Sequence, residues 1–529
     1  LAAGPFFVVR LLRTRAELLS WRHQEPDRPL HFVPTMGSLH AGHQQLLRCA
    51  ASPLAGRPPR LLLSVFVNPL QFGAGEDFER YPRDLQRDAE LAAQAGAEAL
   101  FAPAAQVIYP DGPEACTRVL APAPLQRELC GRSRPGHFDG VATVVCRLLA
   151  LVRPQRLFLG EKDWQQLVIL RRVVADLGLP VHVQGCATVR GDGGLALSSR
   201  NRYLQADQLR QALALPAALR ELGSAASPGA AAGPLLDLVR QRLQTAGLTI
   251  DYVQLTAAHT LRPLARVEGL SLLAAAVHCG SARLIDHVFL MPRPPIVAID
   301  GPAGAGKSTV TRALAARLGL VYLDTGAMYR AVTWWVMQQG ADPADPAAVA
   351  PLLQDLDLQL SLDADGVQRV SVNGRDVSEP IRSPEVTALV SQVAAHGCVR
   401  EALTRQQRRL GEQGGLVAEG RDIGTAVFPD AECKVFLTAT AAERARRRAE
   451  DLRQRGFPVP SLAELEASIA ERDRQDASRE VAPLRQAEDA VELITDGLSI
   501  EAVIQALVDL FRASVPEEAW PGPAGQSQD

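Results

Sequence analysis

Residues 289–309 read FLMPRPPIVAIDGPAGAGKST, and this stretch closes one unit and opens another with almost no linker between them. Pro295 to Asp300 (PIVAID) is a short apolar, β-branched run of the length of a buried strand. It feeds directly into Gly301-Pro302-Ala303-Gly304-Ala305-Gly306-Lys307-Ser308-Thr309. The glycines let the backbone curl until successive N–H groups face phosphate oxygens. A helix from Ser308 adds its positive end, and Lys307 reaches the terminal phosphates. Residues 301 to 309 are therefore the expected ATP contacts of the second half, with Ser308 the expected Mg²⁺ ligand.

The 529 residues are enough for about three or four lobes, and an apolar content of 47% is ordinary for a folded chain. A net charge of −3 supplies no basic excess for nucleic acid and no polybasic patch for a membrane, so small anionic ligands in local sites are expected. Nowhere do 18 uncharged apolar residues run together. Arg10, Arg13 and Arg15 follow a short apolar start without a full hydrophobic core and cleavage site, so no signal peptide is expected and a cytoplasmic location is. Eight scattered cysteines form no C-x-x-C pair and read as reduced thiols. Of 56 basic residues only Lys162, Lys307 and Lys434 are lysine. A compact ammonium is hard to replace by a planar fork where a phosphate is gripped as a point charge, and two of these lysines fall in candidate phosphate sites.

In the first half, LHFVPTMGSLHAGH (30–43) reads as a strand, a tight turn at Gly37 and a helix from about Leu39. His40 and His43 share one face of its first turn. They could be surface histidines, a metal pair or imidazoles beside a nucleotide; no further ligands stand at metal-binding spacing, and the strand-turn-helix context favours the third. PTMGSLHAGH resembles the HIGH-type signature of the nucleotidyltransferase superfamily in the form found in pantoate–β-alanine ligases. FVNPLQF (66–72), YPR (81–83), RPGHFDGV (134–141), GEKDWQQ (160–166) and LSSRN (197–201) follow in that family's order, and Asp286 in ARLIDHVFL closes the unit.

That resemblance implies ATP-dependent activation of pantoate as an acyl adenylate, then attack by the amine of β-alanine. It implies phosphate stabilisation by His40, His43, Lys162, Ser198, Ser199 and Arg200, with His43 the family's assigned proton donor. Thr35, Met36, Gly37, Gly160, Glu161, Asp163, Val189 and Leu197 complete the implied ATP site, and Gln71, Gln166 and Asn68 the pantoate and β-alanine site. Alternating strands and helices predict a doubly wound, Rossmann-like lobe over about 1–203, with ligand at the carboxyl ends of the strands. A smaller lobe over 204–292 is implied to close over the nucleotide, with strands at 248–255 and 270–277 and a surface loop over Gly223 to Pro234. The family also implies a homodimer.

In the second half, YLDTGAMYR (322–330) is a strand end, turn and helix, and 358–377 holds alternating strands around Asp363-Ala-Asp-Gly366. With SQVAAHGCVREALTRQQR (391–408), GLVAEGRDIGTAVFP (415–429) and ERDRQDASREVAPL (471–484), these blocks resemble the bacterial cytidylate kinases, a P-loop nucleoside monophosphate kinase fold with a small antiparallel insert. The resemblance implies CMP or dCMP contacts at Thr325, Arg330, Arg400, Arg421, Asp422, Arg472, Asp476 and Arg479. Arg330, Arg421 and Arg479 would clamp the acceptor phosphate, Asp476 with Arg472 would bond a sugar hydroxyl, and Arg400 and Asp422 are candidates for reading the ring. The ERARRR run (443–448) is either a solvated helix face or the start of a lid over about 443–456. No obvious Asp-terminated apolar strand stands where a second metal-binding carboxylate is expected, so metal ligation beyond Ser308 is unassigned.

The expected organisation is thus a ligase over 1–292, a kinase over 294–514 with its insert at about 355–385, and a disordered Pro-rich tail over 515–529. ATP would serve both halves and Mg²⁺ would assist; pantoate, β-alanine and CMP or dCMP are the partners, with no nucleic acid and no membrane. A synthetase acting on tRNA would want an anticodon-reading domain or a basic surface, and neither is present. The alternative is that one half is an inactive nucleotide-binding or dimerising module.

Overall fold

A run without polar alternation suits a strand covered on both faces, and Leu30–Thr35 is buried at its first four positions. In the computed structural model it is the inner strand β2 of a six-stranded parallel sheet. With β1 (Arg10–Leu12), β3 (Arg60–Val65), β4 (Ala99–Phe101), β5 (Arg156–Gly160) and β6 (His182–Cys186), the order is β1-β4-β3-β2-β5-β6. The chain steps one way from β2 through β4 and the other way from β5 to β6. The strand order therefore reverses between β2 and β5, and a crevice opens there at their carboxyl ends.

The structure describes residues 9–523 apart from 55, 74, 364–367, 455 and 480. Contacts divide the chain into Leu1–Pro292 with Pro516–Pro521, and Arg293–Val515 with Gly522–Asp529. The smaller lobe of the first unit is an antiparallel sheet of β7 (Thr249–Ala257), β8 (Ser271–Cys279) and β9 (Ala282–Leu290). Helices Ala214–Ser224 and Ala232–Thr245 cover it and share a core of Leu219, Val239, Leu243, Leu273 and Val277. The loop expected over Gly223 to Pro234 is shorter than the sequence suggests. Gly223 and Ser224 finish one helix, and Pro234 sits in the first turn of the next, where its missing N–H costs nothing.

The second unit has five parallel strands, β10 (Ile296–Asp300), β11 (Val321–Asp324), β15 (Leu416–Gly420), β16 (Cys433–Thr438) and β17 (Val491–Ile494), in the order β11-β15-β10-β16-β17. The insert is β12 (Leu358–Leu362), β13 (Gln368–Val372) and β14 (Arg375–Asp376), antiparallel throughout. The turn read at Asp363 to Gly366 falls largely outside the described residues. Val370 and Val372 pack with Val332 and Val336 of helix Thr325–Gln338.

The tail does not follow the expectation of disorder from Val515 onward. Val515 is fully buried, and the N–H groups of Ala519 and Trp520 both donate to the Pro516 carbonyl, at 3.2 and 3.1 Å. The composition suggested a solvated segment, but Glu517 and Glu518 have specific partners described below. Residues 524–529 lie outside the described residues. Among the described residues no helix is long and apolar enough to cross a membrane.

The turn after β2 depends on a residue of helix Leu85–Gln94. Asp88 is 1% exposed and accepts from the N–H of Ser38 at 2.9 Å and of Leu39 at 2.7 Å. Gly37 has φ of 84°, and a Cβ there would stand 2.8 Å from Asp88 Oδ2 and 2.9 Å from Val65 Cγ1. Replacing Asp88 by alanine leaves two buried N–H groups unpaired. Asp88→Ala should cost about 2–4 kcal/mol of stability, read as a lower denaturation midpoint in urea; an unchanged midpoint would show that the turn holds itself.

Candidate functional site

At the carboxyl ends of β2, β3, β5 and β6 lies a cavity of about 250 Å³. Thr35, Met36, His40 and His43 line it after β2, and Asn68 and Gln71 after β3. Gly160, Lys162, Asp163 and Gln166 line it after β5, and Val189 with Leu197, Ser198, Ser199 and Arg200 after β6. The predicted ligase residues therefore converge on one cavity, with two exceptions. Gly37 serves through its backbone turn. Glu161 is 1% exposed and turned away from the cavity, its carboxylate accepting from the N–H of Glu517 and Glu518.

His40 caps the helix Ala41–Ala50: its Nδ1 accepts from the Gly42 N–H at 3.1 Å, and His43 Nδ1 accepts from the His40 N–H at 3.3 Å. A ring nitrogen that accepts carries no proton, so each neutral ring holds its hydrogen on Nε2. Burial, reinforced by nearby positive charge, pushes His40 down to about 4. Burial and then the neighbouring His40 push His43 down to about 3. The pair, 4.1 Å apart by ring centroids, is two neutral N–H donors and not two acids.

Asn68 lines the cavity with its polar atoms engaged by protein. It is 1% exposed; its Nδ2 donates to the Gly140 carbonyl at 3.1 Å and to Gln71 Oε1 at 3.2 Å, and its Oδ1 accepts from Tyr109 OH at 2.8 Å. Its polar atoms are occupied by protein, and what it does is orient Gln71. The turn packs against helix His137–Val152 at Gly140, where a Cβ would stand 2.1 Å from the Leu70 carbonyl oxygen. Arg200 is held by Asp77 through Nε at 3.1 Å and Nη2 at 2.9 Å, and Arg134 by Glu76. Glu76 and Asp77 were not singled out from sequence; two adjacent carboxylates in a Gly-rich loop signal only solubility until their arginine partners are known.

The second unit holds a cavity of about 630 Å³. Ala303 to Thr309 line it on one side, and Thr325, Arg330, Arg400, Arg421, Asp422, Arg472, Asp476 and Arg479 on the other, so all eight expected acceptor contacts come together. Gly301 and Pro302 lie back from it, and their carbonyls accept from Lys307 Nζ at 2.8 Å each. Burial and the charge of Arg421 push Lys307 downward.

Asp476 is 1% exposed and braces two guanidiniums, accepting from Arg421 Nε at 3.0 Å and from Arg479. The expected sugar contact is therefore secondary to an ion pair already made. Arg472 is pushed down by burial first and by Arg421 second, and its Nε is buried without a hydrogen-bond partner, as is Arg330 Nε. Guanidiniums crowded against one another with donors to spare form an anion site. In the ERARRR run, Arg444 is buried, pairs with Asp473 and donates to the Ala303 carbonyl at 3.1 Å. Arg447 reaches the Ala305 carbonyl at 3.3 Å and Thr495 Oγ1 at 2.9 Å, and Arg447 and Arg448 line the cavity. The run is thus not merely a solvated face.

Two carboxylates carried no assigned role in the sequence, although Glu419 stands where many relatives have Asp before Gly-Arg-Asp. Asp300, closing β10, accepts from the N–H of Ile423 at 2.8 Å and Gly424 at 2.7 Å, and burial raises it to about 6. Glu419 on β15 accepts from Ser308 Oγ at 2.6 Å and Tyr322 OH at 2.9 Å, while its Oε2 is buried and unpartnered. The signal was its place one residue before the end of an apolar strand, LVAEG.

A family model for pantoate-beta-alanine ligase matches residues 10–289, and one for cytidylate kinase matches 297–513. A bifunctional pantoate ligase/cytidylate kinase of Parasynechococcus marenigrum (strain WH8102) is 64% identical over 515 residues, 97% of this chain and 100% of the relative. The chain belongs to the bifunctional pantoate ligase/cytidylate kinase family. The protein of the same name from Prochlorococcus marinus (strain MIT 9313) is 63% identical over 95% of this chain and 99% of its own length. Among solved structures, a pantothenate synthetase from Thermus thermophilus is 44% identical with a TM-score of 0.50, covering 54% of this chain and 100% of that one.

The histidine geometry makes a prediction of its own. Both folded pKa values lie below the ordinary histidine value, so the rings are neutral above about pH 5. In the protein without nucleotide, their NMR signals should not shift between about pH 5.5 and 8; a midpoint near 6.5 for either ring would contradict the assigned tautomers.

Proposed function

We infer that the first unit condenses pantoate with β-alanine through a pantoyl adenylate, and that the second transfers the γ-phosphoryl group of ATP to CMP or dCMP. What carries this reading is that each unit has its own cavity lined by its own lysine, Lys162 in one and Lys307 in the other. In the first reaction a pantoate carboxylate oxygen attacks the α-phosphorus of ATP and pyrophosphate leaves. The β-alanine amine then attacks the acyl carbon and AMP leaves. The Nε2–H groups of His40 and His43 supply neutral donors to the phosphates, Lys162 supplies a fixed charge, and Ser198 and Ser199 add hydroxyls. Gln71 and Gln166 would bond pantoate, with Asn68 a positioning residue behind Gln71. Asp163, Val189 and Met36 would meet the nucleoside. Two neutral imidazoles speak for phosphate stabilisation in preference to proton donation by His43.

In the second reaction Lys307 and the backbone of Ala303 to Thr309 would cradle the ATP phosphates. Arg330, Arg421 and Arg479 would clamp the acceptor phosphate, and the spare Nε–H of Arg472 adds a donor. Mg²⁺ prefers hard oxygen ligands, and the Ser308 hydroxyl with the unpartnered Glu419 oxygen fits it. Ser308 and Glu419 would hold the ion, which would supply positive charge beside the phosphates. An inactive half finds no support, since each cavity keeps its lysine and its anion donors. Lys307→Ala should lower CMP-dependent ADP formation at least about a hundredfold and leave pantoate-dependent AMP formation intact, and Lys162→Ala should do the reverse. Loss of both activities in either variant would count against two independent sites.

A further inference from the structure

Both family models stop short of residues 516–521, yet this segment belongs to the first compact unit. Its hydrogen bonds are reciprocal. The N–H groups of Glu517 and Glu518 donate to the two oxygens of Glu161 at 2.8 and 2.9 Å. In return, the Glu517 carboxylate accepts from the Ala187 N–H at 3.2 Å, and Glu518 Oε1 accepts from the Thr188 N–H at 3.0 Å and from the Thr188 hydroxyl. Glu518 Oε2 also lies 3.6 Å from Arg190, which is paired with Asp286.

Two of these partners belong to the cavity wall. Ala187 and Thr188 line it between the end of β6 and Val189, and the Val189 carbonyl accepts from the Leu197 N–H at 2.9 Å, tying that wall to the Ser198–Arg200 loop. Removing the segment would take from the Glu161 carboxylate its two backbone donors and from the Ala187 and Thr188 N–H groups their carboxylate acceptors. Each of those losses is costly, so the wall would move or loosen.

We propose that Pro516–Pro521 is a positioning strap of the first unit's nucleotide site, holding the Ala187–Val189 wall in the shape that receives the nucleoside of ATP. The proposal rests on the ligase reading of that unit. The ligase site is then completed by residues that follow the kinase sequence, and its affinity for ATP depends on an intact C-terminal segment. No strap residue touches substrate. Its effect falls on nucleotide binding more than on the chemical step.

The test uses the full chain, a chain ended after Val515, Glu518→Ala and Glu518→Gln. Ending the chain after Val515, or Glu518→Ala, should raise the KM for ATP in pantoate-dependent AMP formation by about tenfold or more, with kcat within about threefold. Glu518→Gln, whose Oε1 can still accept from Thr188, should recover most of the affinity. CMP-dependent ADP formation should not change in either Glu518 variant. In hydrogen–deuterium exchange, the peptide containing Ala187 and Thr188 should exchange faster in the shortened chain. Unchanged KM and unchanged exchange would overturn the proposal, as would an equal fall in kcat for Glu518→Ala and Glu518→Gln. If the full chain forms no AMP, the ligase reading has failed; the exchange rates with and without ATP then decide the strap by themselves.

Discussion

In each unit a buried aspartate takes up two backbone N–H groups beside the site and so fixes a segment that carries ligand-facing side chains. Asp88 accepts from Ser38 and Leu39 beneath the turn that leads to His40 and His43. Asp300 accepts from Ile423 and Gly424 beneath the segment that carries Arg421 and Asp422. A carboxylate inside a protein is expensive unless it is hydrogen-bonded, and two N–H donors each make these two tolerable. Strands buried on both faces deliver the chain to these turns, so core packing and ligand geometry are fixed by the same few residues.

The two cavities handle charge differently, in keeping with their proposed substrates. A kinase acceptor brings its own phosphate toward the phosphates of ATP, and two anions must be drawn together. The second unit meets this with crowded arginines, among which Asp476 braces Arg421 and Arg479 while Arg472 keeps a donor free. The first unit would bring one carboxylate to ATP, and it offers neutral histidine donors with a single lysine in place of a guanidinium cluster.

Elements whose cause is local were legible in the sequence. The apolar runs of β2 and β10, the turn at Gly37 and the Gly301–Ser308 loop all follow from short-range pattern, and the arginines that the resemblance implied for the acceptor do line one cavity. What escaped reading depends on partners far along the chain. Asp88 looks like one more polar residue on a helix until Ser38 is beside it, and Asn68 resembles a substrate ligand until Tyr109 and Gly140 occupy its amide. Glu419 is separated from Ser308 by 111 positions. The tail failed for the same reason: Pro, Glu and Gly suggest solvation, and only Glu161 and Thr188, more than 300 residues away, give residues 517 and 518 a fixed place.

The central claim is that one chain runs two separate ATP-dependent reactions. The most direct measurement is chromatography of the nucleotides formed from ATP and Mg²⁺ by the full chain, once with pantoate plus β-alanine and once with CMP. The account predicts AMP without ADP in the first mixture, and ADP with CDP in the second. AMP that does not depend on pantoate, or CMP recovered unphosphorylated, would contradict it.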